Sequence, residues 1–333
     1  MESTFVRLCP SLPPELWIRI LHFNTDLTHL WTVCRNVSTS FRAYTEQIFA
    51  GYVIHETYVD FYLEKYNLGG RSKRPEVPTV FSHFQLGVKL EGGGREKAFA
   101  CFHDQRRKSE IAGGRRREYT KIMERWESNV RDWKAQMPNY TIRIFHMVND
   151  SELPGLDIDI EARQIRFDWR KMYTKFFREM RLLQNMKSNE EHRPNGERLC
   201  AEDCPPPIAA TEIEMRKHIR RKRLKEHYTG NEKMMWAIDS LRHFESFGAP
   251  GDSEKKTAMK LDPNLPGAGL GEKFFGSLNL VQELYLDEWS CMHRIDTKYE
   301  HMKGEKPFAR FSVPPPDLLR QSMTPQPSEL GLA

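Results

Sequence analysis

The chain is predicted to be an α+β protein: a three-helix N-terminal unit, then an antiparallel sheet with covering helices, then a helical C-terminal region and a disordered tail. Three observations carry this. Apolar residues recur at helical spacing through the first fifty residues, the period switches to two from Gly51, and helical spacing returns after a polar stretch rich in Pro, Ser and Glu. The predicted boundaries are 9–50, 51–186, a linker at 187–210, a helical region at 211–303 and a tail at 304–333.

The N-terminal unit opens with Leu12-Pro13-Pro14-Glu15-Leu16-Trp17. Proline suits a first helical turn, where its missing amide hydrogen would have no partner, and Glu15 complements the positive end of the helix. Ser11 or Leu12 is the expected cap. Leu16, Ile20 and Phe23 then form one stripe, with Trp17 and Leu21 beside it. Leu27, Leu30, Trp31 and Cys34 follow the same period behind Thr25-Asp26, and Val37, Phe41, Tyr44 and Ile48 make a third run behind Asn36 and Ser38. Three short helices bury a marginal core by themselves. The surplus apolar residues, Leu12, Trp17 and Trp31 among them, are available either to a partner or to the rest of the chain.

From Gly51 to Leu63 apolar and aromatic residues alternate as in a strand. Residues 68–78 read as a loop. Phe84 to Leu90 and Phe99 to Cys101 then flank Gly92-Gly93-Gly94 as a β-hairpin, because no helix with Lys-Ser/Thr follows to make a phosphate loop. Arg106-Arg107-Lys108 and Arg115-Arg116-Arg117 belong to a polar connection. Tyr119, Met123, Trp126, Val130, Trp133 and Met137 predict one long amphipathic helix stopped by Pro138-Asn139. Tyr140, Ile142, Ile144, His146 and Val148 predict a strand, and Leu156–Ile160 with Ile165–Trp169 predict a second hairpin. Met172 to Met186 is a further amphipathic helix.

Beyond the linker, Arg216 to Lys225 is a dense basic segment on a predicted helix. Its default reading is a solvated face. Its alternative reading is a nuclear-import signal or a contact with nucleic-acid phosphate, so a basic nucleic-acid- or chromatin-associated protein using residues 106–117 and 216–225 is a competing function. Trp236, Leu241 and Phe244 belong to the next helix, and Leu280, Leu284, Tyr285 and Trp289 to a last one that docks back on the body. Pro314-Pro315-Pro316 and Pro325 mark the tail.

Asp157, Asp159 and Asp168 are the wet face of the second hairpin rather than a metal or acid–base pair. Cys200 and Cys204 lack the tighter spacing and second pair that zinc needs. No nucleophile elbow, phosphate loop, dinucleotide fingerprint or His-Glu-x-x-His motif occurs, so no catalytic residue, cofactor or metal is assigned. Six scattered cysteines suit a reducing compartment, and no run is apolar enough for a signal peptide or a span. The expected setting is soluble and intracellular, cytoplasmic and, if the basic segment directs import, nuclear.

One stretch carries a resemblance. The order Leu12-Pro13, Glu15, Leu16, Ile20-Leu21, then Leu30-Trp31-Thr32-Val33-Cys34-Arg35-Asn36-Val37 and Phe41-Arg42 resembles an F-box, and looks most like the F-box-headed proteins of filamentous fungi. The junction Phe23-Asn24-Thr25-Asp26 departs from the family's Leu followed by Asp-Pro. The resemblance covers about 40 of 333 residues. It implies a non-catalytic substrate receptor of an SCF-type cullin–RING ubiquitin ligase, bound to a Skp-type adaptor and through it to a cullin. Leu12, Pro13, Leu16, Ile20, Leu30, Trp31, Val33 and Val37 are the residues it assigns to the adaptor. An unidentified protein substrate would be held by the C-terminal domain.

Overall fold

The computed structural model describes residues 12–64, 76–89, 95–106, 116–191, 212–248 and 277–304. The glycine turn, most of the basic connection, Cys200, Cys204 and the proline-rich tail singled out above lie outside these residues.

Helix α1 (Pro14–His22) starts behind Pro13, with Glu15 in its first turn and Arg19 and His22 in its last. Helix α2 (Leu27–Thr32) is capped by Asp26, whose carboxylate accepts from the His29 amide at 2.9 Å. A 3₁₀ turn at Cys34–Asn36 leads to α3 (Thr39–Gly51), capped by the Ser38 hydroxyl on the Phe41 amide. Another 3₁₀ turn, Val53–Glu56, carries the chain into the sheet. The predicted strand over residues 52–63 is therefore shorter, because α3 runs to Gly51.

The seven strands are β1 (Thr57–Tyr62), β2 (Glu76–Lys89), β3 (Arg95–Asp104), β4 (Tyr140–Ile144), β5 (Met147–Asn149), β6 (Asp157–Asp159) and β7 (Gln164–Phe167). They form one antiparallel sheet in the order β5-β4-β1-β2-β3-β7-β6. Pro78 lies inside β2, which extends into the expected loop. It is tolerated because β3 pairing begins only at Thr79, so its missing amide interrupts no ladder.

Register places Thr57, Val59, Phe61, Ile142, Ile144, Val77, Phe102 and Ile165 on one face. Helices α4 (Arg116–Arg131) and α5 (Trp169–Glu191) lie over it. Trp126 of α4 meets Phe61 at 6.0 Å between ring centroids, and the Tyr173 hydroxyl of α5 meets that of Thr57 at 2.8 Å. Thr57 also donates to the Val53 carbonyl. Tyr173→Phe therefore leaves Thr57 partnered, and it is expected to cost only about 1 kcal/mol in a urea titration.

Two further expectations are corrected. Helix α4 ends at Arg131, not Met137. Trp133 continues its apolar seam from a turn and donates its indole N–H to the Tyr140 hydroxyl at 3.2 Å, whereas Met137 packs with Val148, Cys291 and Met292 in a separate apolar cluster. The strand expected over residues 140–148 is a hairpin. Phe145 takes a positive φ of 51° and turns the chain back, which places Val148 opposite Arg143 on the other face.

That other face is covered at the β4–β1 end by α8 (Ser277–Gly304), which follows α6 (Glu212–His227) and α7 (Glu232–Gly248). Lys298 pairs with Asp60 at 3.0 Å and Glu76 at 2.7 Å, and Arg294 sits over the Tyr62 ring while donating to the Pro138 and Glu64 carbonyls. The outermost strand β5 is finished by side chains. The Tyr299 hydroxyl accepts from the Val148 amide, and Arg216 donates to the Val148 carbonyl. One core runs from Leu21 of α1 through the sheet to Ile219 of α6. A second apolar cluster joins α7 to α8.

Candidate protein-binding surface

Helix α1 has two unlike sides. On one, Leu21 is buried, the Trp17 ring lies 5.1 Å from Phe41, and the His22 ring lies 5.0 Å from Tyr52, so α1 rests on α3 and the turn after it. Burial also lowers the pKa of His22. On the other side, Leu16, Ile20 and Phe23 follow i, i+4, i+7 and stand 43%, 50% and 65% exposed, with Val37 65% exposed after the 3₁₀ turn. Pro13 is exposed, while Leu12 and Val33 are half-buried. A stripe of large apolar side chains in water on a helix fixed from behind is the geometry of a docking face. Phe23, which spacing groups with Leu16 and Ile20 but which the resemblance does not assign, belongs to this exposed stripe.

Leu30 and Trp31 are not on this face. They are 1% and 2% exposed and belong to the common core. The Trp31 ring lies 4.6 Å from Phe49, 5.3 Å from Tyr173 and 6.2 Å from Trp169, and its indole N–H donates to the Thr174 hydroxyl at 3.2 Å. The reason lies in α5, where Trp169, Tyr173 and Phe177 repeat every fourth residue and present an aromatic row to α2. Spacing within residues 9–50 could not show this row.

The same junction is pinned by charge. Glu46 of α3 accepts from Arg35 at 2.7 Å on one oxygen and from Arg170 of α5 at 2.7 Å on the other, and the Arg35 guanidinium lies 4.7 Å over the Trp31 ring. Cys34 of the Val-Cys-Arg segment is half-buried; burial pushes its thiol pKa up, which disfavours the reactive thiolate.

The basic segment of α6 is not a solvated face. Arg223 donates to both Glu179 oxygens at 2.9 and 3.1 Å and to Asp150 at 2.8 Å. Arg220 donates to Asp150 and to the Gln136 carbonyl, Arg221 grips Glu288, and Arg216 bonds Glu212 and Val148. Within 220–223 only Lys222 is exposed. These arginines bind the body and are withdrawn from phosphate. Asp157 pairs with Arg166, Asp159 accepts from the Ala162 amide, and Asp168 caps α5 at Lys171. Among the described residues, no group of His, Cys, Asp or Glu is placed to hold a metal ion, and no helix is long and apolar enough to cross a membrane.

No family model, curated protein or solved structure matches this chain.

Proposed function

We propose that the chain is the substrate-receptor subunit of an SCF-type cullin–RING ubiquitin ligase, with α1 docking on a Skp-type adaptor. The observation that carries this reading is the exposed Leu16–Ile20–Phe23 stripe, on the helix that opens the Leu-Pro…Val-Cys-Arg order. Ubiquitin transfer belongs to other subunits in this reading. The chain contributes proximity, holding the adaptor with one surface and a substrate with another. The energy of docking is expected from a few desolvated apolar anchors.

Removing residues 1–50 would strip Trp31 and Phe49 from the common core, so a surface variant is the better test. Leu16→Lys with Ile20→Lys keeps good helix formers on α1 and charges the stripe. Capture of the purified host adaptor is expected to weaken at least tenfold, with the urea midpoint unchanged. Undiminished capture by the folded double variant would overturn the assignment of this face.

A further inference from the structure

Among the described residues, the large apolar side chains that stand exposed fall into two groups. One is Leu16, Ile20, Phe23 and Val37; the other is Ile213, Leu286 and Trp289, on α6 and α8. Ile213 and Trp289 of the second group line a groove of about 200 Å³ together with Lys217, Tyr285, Glu288 and Asp296, among others. Trp289 is 45% exposed and lies flat on His293, with ring centroids 5.4 Å apart and planes 12° apart. Tyr285 is held from behind by Phe244 at 5.2 Å. These rings are presented by an element that the core fixes: Met292 touches both this groove and the interior cavity beside Leu183 and Ile219.

The charges in the groove decide what fits it. Lys217 is bonded to Glu214 at 2.9 Å, and Glu288 is buried and gripped by Arg221. Asp296 is exposed and makes no ion pair among the described residues. A groove with aromatic rings and one uncompensated carboxylate complements an extended segment with an apolar or proline side chain next to Lys or Arg. Its position also suits a second partner. The N-terminal helices pack on Trp169 to Phe177 of α5, whereas α6 and α8 pack beside Met180 and Leu183. The two packing sites are thus roughly 10–20 Å apart along α5.

We infer that this groove is a peptide-binding site for a short extended segment carrying a basic residue beside an apolar one. Calling that segment the ligase substrate rests on the receptor role proposed above; the peptide site itself does not. The test uses the full chain without adaptor, so its failure is separate from a failure of adaptor capture. A phage-displayed library of random dodecapeptides is selected on the wild-type chain and counter-selected on Trp289→Ala. Enriched peptides are expected to carry Lys or Arg next to Pro, Leu or an aromatic, and to bind Trp289→Ala at least tenfold more weakly. Asp296→Lys, a surface change, is expected to switch the selected charge from basic to acidic. Failure to enrich any Trp289-dependent peptide would overturn the proposal, as would a peptide preference indifferent to the charge at position 296.

Discussion

Trp31→Ala is expected to lower the free energy of unfolding by about 3–5 kcal/mol, the range for truncating a fully buried large aromatic. The indole fills the space between Phe49 of α3 and the Trp169–Tyr173–Phe177 row of α5, and none of these rings can close the gap without leaving its other contacts. Its loss also removes the platform under Arg35 and the donor to Thr174. A urea titration followed by far-UV circular dichroism measures this. A loss under about 1 kcal/mol would mean that α2 is not part of the common core. The contrast with Leu16→Lys/Ile20→Lys is the informative part, since that pair should change capture and leave stability alone.

Arg223→Met is expected to cost a similar amount, about 3–5 kcal/mol, for a different reason. The guanidinium sits between two buried carboxylates, and the methionine would leave Glu179 without the partner that grips both its oxygens. The pH dependence identifies the cause. Burial alone would raise the pKa of Asp150, but Arg223 and Arg220 outweigh it and hold it down at about 2. In the wild type this pairing stabilises the fold above the ordinary carboxylate range and is lost as pH falls through that range toward 2. Glu179 runs the other way. Burial raises its pKa despite Arg223, so the folded state takes up that proton first and gains from it as pH falls. Without Arg223 this second behaviour should dominate. The deficit of the variant is expected to be largest at neutral pH and to shrink as pH falls and Glu179 takes up its proton, which removes the unpaired charge. A deficit independent of pH would assign the loss to packing instead.

The strands and most helices were legible because each buries one face, so its apolar residues repeat at its own period. Legibility failed where a residue answers to something distant in sequence. Val148 keeps the alternation of β4 through the Phe145 turn, yet it serves the opposite face and packs with Cys291 and Met292 of α8. Trp133 keeps helical spacing after the helix has ended because the surface it covers extends past it, whereas Met137 keeps that spacing yet packs with Val148, Cys291 and Met292 in a separate cluster. Trp31 looked surplus within forty residues, and only the α5 row accounts for it. Arg216, Arg220 and Arg223 follow i, i+4, i+7, a one-sided pattern visible in the sequence. Their main partners Val148, Asp150 and Glu179 lie 44–73 residues away, so nothing local marked the stripe as buried. The docking stripe was half-legible: spacing grouped Leu16, Ile20 and Phe23, but which side of α1 faces water was decided by Phe41 and Tyr52.

Strand β5 sits at the rim of the sheet, and an open rim is where one polypeptide recruits another into a growing cross-strand stack. Here Tyr299 and Arg216 occupy the outward amide and carbonyl of Val148, so a visiting strand finds those positions taken. The shield comes from helices far along the chain, synthesised well after the strand it protects. A ribosome that has finished β5 has yet to make either of them. Until α6 and α8 arrive, the nascent sheet carries a naked rim, and chains cut short before Arg216 would carry it permanently. Self-association of truncated products, rather than lost binding, is then the first defect that such chains should show.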